Sequence, residues 1–354
     1  LWFKGSGTVK GFAQTLAIGI IASMFTALVI TRLIVNAFYA VGLRSEKLYY
    51  RPKKEREPID FLSKKKVFFT ISLVLIAAGV ITIGVNAGRG KGAFAYSLEF
   101  QGGTSTNVTF DKDYSIDEID KEIVPVVEKV TGDNNVQTQK VAGTNQVIIK
   151  TVTLDLDKRE ALNKAMVDNF GVDESKITAE NISSTVSNEM RRDAVIAVVI
   201  ATICMLLYIW FRFKDIRFAT SAVLALLHDV LVVVGFYAIA RISVGNTFIA
   251  CMLTIVGYSI NATIVIFDRI REEMRGKTKS SDVAAVVNKS ITQTLTRSIY
   301  TSLTTFIMVA VLYVMGVSSI KEFALPLMVG VVCGAYSSVC ITGALWYVMK
   351  RFKK

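Results

Sequence analysis

The 354 residues are 52% apolar and hold only four prolines. Their mean hydropathy of +0.46 lies outside the range of ordinary soluble domains and points to the membrane class. The formal charge of +12 is unevenly spread: residues 88–193 hold 13 basic and 18 acidic side chains, and the remainder holds 28 and 11. The excess cation therefore follows the membrane segments, and no nucleic-acid interface is expected.

The sequence begins Leu-Trp-Phe-Lys without Met, and no charged region precedes its first apolar stretch. That stretch reads as a membrane span, not a signal peptide, and the sequence reads as a piece of a longer polypeptide. Spans of about 20 largely uncharged residues are expected at Gly11 to Ile34, Val67 to Val85, Ala194 to Phe211, Phe218 to Ala240, Phe248 to Phe267, Ser298 to Met315 and Phe323 to Met349, seven in all. The chain then divides into a first span (1–43), a basic joint (44–66), a second span (67–87), a hydrophilic segment (88–193), a five-span bundle (194–349) and a basic tail (350–354). Arg44 to Lys66 holds nine Lys or Arg, Arg212 to Arg217 three, Asp268 to Arg297 seven and Lys350 to Lys354 four. Alternation puts all four on one side, which the positive-inside rule makes the cytoplasm. The amino end and residues 88–193 are thus expected outside, and the carboxy terminus inside.

Within the outer segment, Ser97 to Phe110 has strand character around Gly102 and Gly103, read as a bulge or as a functional loop. Ile116 to Val130 has helical spacing that Pro125 kinks or shortens. Val136 to Val141 and Gln146 to Val152 form an expected hairpin, Lys158 to Phe170 a second helix and Lys176 to Val186 a last strand. The order βαββαβ is that of a ferredoxin-like α+β domain, a fold that decides no function by itself.

His228, the one histidine of the chain, precedes Asp229 in the otherwise apolar stretch Leu224 to Phe236. Asp229 falls at the middle of its span, where an ionised carboxylate costs several kcal/mol unless it is paired or hydrated. Two readings stand: an ion or proton site, or a neutral acid and imidazole bonded to neighbouring helices. Consecutive helical residues point about 100° apart, so the two side chains are not expected to share a partner. Thr254, Tyr258, Asn261 and Asp268 lie on one helical face, and Arg297, Thr301 and Thr304 on another. Each line reads as interhelical glue or, together with Asp229, as a polar relay. Gly330 to Gly334, and Thr15, Gly19, Ser23 and Thr26, read as close-packing stripes. Cys204, Cys251, Cys333 and Cys340 all fall within spans as small packing residues, with no disulfide or metal spacing. No nucleotide loop or hydrolytic triad is present in the sequence, so a non-enzyme without a cofactor is expected.

Four segments carry a resemblance: LEFQGGT at 98–104, LLHDVLVVVGFYAI at 226–239, GYSINATIVIFDRIREE at 257–273 and SITQTLTRSIYTSLTT at 290–305. They resemble SecF, a membrane subunit of the Sec protein-export machinery. GSGTVKGFAQTLAIGIIASMFTALVITR at 5–32 resembles the last span of its partner SecD. The resemblance implies the carboxy-terminal part of a SecD and SecF fusion in the cytoplasmic membrane, a multi-pass α-helical protein whose seven spans form half of a resistance-nodulation-division-type bundle. It implies an auxiliary role in which the proton gradient helps draw emerging polypeptide outward. The implied partners are the SecD half, the SecYEG channel, the SecA motor, YajC-like and YidC-like subunits, the exported unfolded polypeptide and the lipid bilayer. It also implies an ion relay of Asp229, His228, Asn261, Arg297 and Thr301. The family usually writes SINDT where this chain has Ser259 to Thr263, and Ala262 cannot hold a proton. The alternatives are a small-molecule or lipid exporter of the same superfamily, whose outer domains are larger than this segment, and an uncoupled scaffold for other Sec subunits.

Overall fold

The computed structural model describes residues 7–45, 49, 57–89, 92–97, 100, 102–133, 136–141, 144–182, 184–275, 282–315 and 318–351. Helix α1 runs through Gly7–Phe25, a π-helical turn at Thr26–Ile30, and Thr31–Ala40. Helix α2 spans Lys65–Gly88. Between them the end of the joint docks on a later helix: the N–H groups of Phe61 and Leu62 both donate to Asn288 Oδ1 at 3.2 Å, and Asn288 Nδ2 donates to Asp60 Oδ1 at 2.8 Å. The Ser63 N–H and the Asn288 amide hold the Asp60 carboxyl below the usual carboxylate range.

The hydrophilic segment contains β1 (Ala95–Tyr96), β2 (Gly103–Thr109), α3 (Ile116–Glu118, a π-helical turn Ile119–Ile123, then Val124–Thr131), β3 (Gln137–Lys140), β4 (Gln146–Thr151), α4 (Leu156–Phe170) and β5 (Ile177–Ile182). Four of the strands form an antiparallel sheet in the order β3-β4-β2-β5. Val108, Val147, Ile149 and Ile177 from the sheet meet Ile119, Ile123, Val127, Leu162 and Met166 from both helices in one buried cluster. Helix α3 starts from a capping box in which Ser115 accepts from the Glu118 N–H and Glu118 accepts from the Ser115 N–H. It passes Pro125 without ending, because the π-helical turn before it puts the proline at the start of the next helical stretch, where no N–H is required.

Boundaries in this segment differ from expectation at two places. Within Ser97 to Phe110 the strand β2 begins only at Gly103, and β1, which precedes that stretch, pairs in parallel with β6 (Ser243–Val244). Gly102 has φ +76° and Gly103 φ +146°, left-handed values that suit glycine, and the ladder from Gly103↔Ile182 to Val108↔Ile177 runs with no inserted residue. The pair makes a turn into the strand, and the expected bulge is not there. The last strand stops at Ile182, short of Val186, because Ser184 already opens the next helix.

That helix, α5 (Ser184–Phe213), is followed by α6 (Ile216–Ala240), α7 (Asn246–Met274), α8 (Val283–Met315) and α9, which comprises Ser318–Tyr336, a π-helical segment Ser337–Thr342 and Gly343–Arg351. With α1 and α2, they make the expected seven helices of membrane-spanning length and apolarity. Helix α8 starts well before the expected Ser298, since its first half is amphipathic and buries Val286, Val287 and Ile291. Helices α2 and α6 touch backbone to backbone: a Cβ at Gly79 would lie 2.7 Å from Gly235 Cα. Asn86 Nδ2 adds a bond to Ala238 O at 3.1 Å. At Gly330 a Cβ would overlap the Ile255 side chain, so this stripe does pack α9 on α7. The stripe on α1 does not behave so: a Cβ at Gly19 would meet nothing within 4 Å.

Candidate functional site

The core of the bundle is two apolar clusters. One contains Phe218, Ala222, Ile260, Phe267, Ile291, Val339 and Trp346. The other contains Val233, Tyr237, Ile249, Met252, Ile255, Leu327 and Val331. On each of three helices buried polar or thiol side chains fall between the clusters: His228 and Asp229 on α6, Ser259 on α7, Cys333 and Ser337 on α9. The opposing helices thus put a polar layer where lipid-depth apolar packing would otherwise continue.

Asp229 sits in that layer fully buried. Ser259 Oγ donates to its Oδ2 at 2.5 Å, and Ser337 Oγ donates to the same oxygen at 2.7 Å. Cys333 Sγ donates to Oδ1 at 3.3 Å, and His228 Nδ1 faces Oδ1 at 2.9 Å. Both carboxyl oxygens are satisfied by side chains, which removes most of the cost of keeping the group out of water. The two adjacent residues do share a partner, contrary to the 100° argument, because Cys333 Sγ also lies 3.9 Å from His228 Nδ1. Side chains that bend toward each other along α6 overcome the angular offset of their Cα atoms. His228 Nε2 is buried and has no partner among the described residues.

The other expected relay residues form a separate group. Asn261, Ala262, Arg297 and Thr301 line a cavity of about 100 Å³ between α7 and α8, together with Tyr258. Asn261, Arg297 and Thr301 are exposed within this chain. They do not supply the neighbours of Asp229, as the polar lines suggested. The reason is angular: Ser259 and Asn261 are two residues apart on α7, so they point to nearly opposite sides of the helix. Asp268, from the same line, pairs instead with Arg212 at 3.0 Å. Thr254 and Thr301 spend their hydroxyls on Ala250 O and Arg297 O of their own helices.

Residues 162–352 match the family of protein export membrane proteins SecD/SecF, C-terminal. The chain belongs to the SecD/SecF family. It is 36% identical over 303 residues to the protein translocase subunit SecF of Petrotoga mobilis, covering 84% of this chain and 98% of that one. It is 35% identical over 357 residues to the SecDF subunit of Brucella abortus, covering 98% of this chain and 44% of the other. The crystal structure of SecDF from Thermus thermophilus superposes with a TM-score of 0.80 at 31% identity, over 99% of this chain and 46% of that one. The chain spans somewhat less than half the length of these SecDF relatives.

Ser259, Cys333 and Ser337, the neighbours of Asp229, do not stand out in the sequence because each reads as small packing glue in an apolar helix. One signal was available. Cys333 and Ser337 are four residues apart and hence share a helical face with the Gly330 stripe.

Proposed function

We propose that this chain is the carboxy-terminal part of an auxiliary subunit of the Sec translocase, in which ion flow through the membrane helices moves the outer domain on emerging polypeptide. The observation that carries the reading is Asp229, a buried acid in mid-helix whose four side-chain partners come from α6, α7 and α9. An acid at that depth is functional by default, and helices that share it are coupled through its charge state. His228, Asn261, Arg297 and Thr301 complete the proposed relay, the last three from the cleft where Ala262 replaces the family acid. The exposure of that cleft and of α1 suits burial by a SecD half. The SecYEG channel, the SecA motor, YajC-like and YidC-like subunits and exported polypeptide are the proposed further partners.

The basic segments support a cytoplasmic joint and carboxy terminus, with residues 88–193 outside. The strand order and the two helices on one sheet face support a ferredoxin-like outer domain, whose acidic balance and lack of His and Cys suit transient holding of a chain and not catalysis.

The test is Asp229→Asn in the full-length protein, reconstituted with its translocase in vesicles. Asn keeps the shape and can accept from Ser259 and Ser337, so the protein should stay folded while gradient-dependent export falls strongly. Ala262→Asp, placed in the cleft with Arg297, should then restore part of it. Unchanged gradient dependence in Asp229→Asn would leave the scaffold reading in its place.

A further inference from the structure

The two serines on Asp229 Oδ2 leave Oδ1 in different company. Oδ1 lies 2.9 Å from His228 Nδ1 and 3.3 Å from Cys333 Sγ, and Sγ lies 3.9 Å from Nδ1. An imidazole nitrogen, a carboxylate oxygen and a thiol sulfur are thereby gathered within 4.8 Å, all on buried residues. A tetrahedral zinc-class ion, bonded at about 2.0 Å to nitrogen and oxygen and about 2.3 Å to sulfur, holds such donors roughly 3.3–3.6 Å apart. The observed separations straddle that range, so an ion is accommodated by shifts of about 0.4 Å between donors.

We propose that His228, Asp229 and Cys333 form a buried binding site for a divalent transition-metal ion of zinc's class. The donor set balances the ion: on binding, the thiol proton that Cys333 directs at Oδ1 leaves to solvent, and thiolate plus carboxylate offset the two positive charges. Imidazole ligates through the Nδ1 lone pair with its ring proton on Nε2, and a hydroxyl or water completes the fourth position. The site thus becomes a neutral cluster, the form in which charge is best tolerated at this depth. Ser259 and Ser337 fix the carboxylate from its other oxygen, as hydrogen bonds around metal ligands commonly do. His228 Nε2, buried and without a partner among the described residues, leaves the ring no polar engagement except the one inside the cluster. Sequence spacing cannot show this site, because Cys333 lies 104 residues from Asp229. A ligated carboxyl stays ionised, so metal binding at Asp229 and its use as a relay group exclude each other; the cobalt titration reads the first and gradient-dependent export the second.

The experiment uses the full-length protein in detergent, stripped with a chelator and titrated with Co²⁺. One equivalent should bring up a thiolate-to-cobalt charge-transfer absorption in the near ultraviolet, which Zn²⁺ then abolishes by displacement. Cys333→Ser should lose that absorption, and Cys251→Ser, whose thiol lies elsewhere in the core, should keep it. His228→Gln retains the thiolate and should keep the absorption with at least tenfold weaker binding, which preserves the test if Cys333→Ser does not accumulate. No charge-transfer absorption in the unsubstituted protein, its persistence in Cys333→Ser, or unchanged affinity in His228→Gln would overturn the proposal and leave a hydrogen-bonded cage.

Discussion

Ser337 Oγ reaches Asp229 Oδ2 from the first residue of a π-helical segment, and Ser337 O in turn accepts from Thr342 Oγ1 at 3.0 Å, five residues on. The wide turn lets one residue serve the acid through its side chain while its carbonyl is satisfied by a hydroxyl. Such turns recur at functional sites.

Ser337→Ala and Ser259→Ala each remove one of the two hydroxyl donors on that oxygen. A side-chain hydrogen bond contributes about 0.5–1.5 kcal/mol, and more where its loss leaves a buried acceptor unpaired, so each should lower thermal stability in detergent measurably. The double variant should lose more than the sum, because Oδ2 is then buried without a hydroxyl donor. A double-mutant cycle on thermal midpoints checks this, and strict additivity would contradict the shared-acceptor geometry.

Gly235→Ala inserts a methyl 2.8 Å from Gly79 Cα. Backbone on both sides leaves no flexible side chain to yield, so α2 and α6 must separate, at a cost of about 1–3 kcal/mol. Disulfide trapping between cysteines placed at Asn86 and Ala238, which lie across the same helix pair, should slow markedly in this variant.

Asn288→Ala frees the backbone N–H groups of Phe61 and Leu62 and removes one donor from the Asp60 carboxylate, which keeps the Ser63 N–H. Ile59 N–H keeps its bond to Thr292 Oγ1, so the joint should loosen and not detach. Limited trypsin digestion at Lys64 to Lys66 should become several-fold faster, with the helices otherwise intact.

Glu118 is pushed down to about 2, first by the Lys112 ammonium and then by the Ser115 N–H and hydroxyl. A depressed carboxyl contributes stability that is complete above its unfolded value near 4.5 and is lost as pH falls toward 2. Protection of α3 against hydrogen exchange, taken relative to the intrinsic amide rate at each pH, should therefore fall in the intact protein between about pH 4.5 and 2. Glu118→Gln should flatten that dependence while raising exchange at neutral pH.

Apolar windows made the seven spans legible, and the single acid in an apolar run marked Asp229 before any geometry was known. The alternation in β4 and the spacing of Leu162 and Met166 made that strand and α4 legible to within a few residues. What surrounds Asp229 was not legible, since Ser259, Cys333 and Ser337 are the size and polarity of ordinary helix-packing residues. The first half of α8 escaped the span window because Asn288, Lys289 and Ser290 interrupt its apolar stripe. The two-residue pairing of β1 with β6 joins segments far apart in the chain, and no local pattern announces it.

One residue separates β5 from α5, and α5 then continues without interruption to Phe213. Arg191 on that helix stacks over the Tyr96 ring of β1 at 4.4 Å, and Tyr96 O accepts from Gln137 Nε2 at 3.2 Å. The four-stranded sheet is thus joined to a continuous helix and braced beside its root by Tyr96. The same helix packs along α6, so the sheet and the helix that carries Asp229 share α5 as a common neighbour.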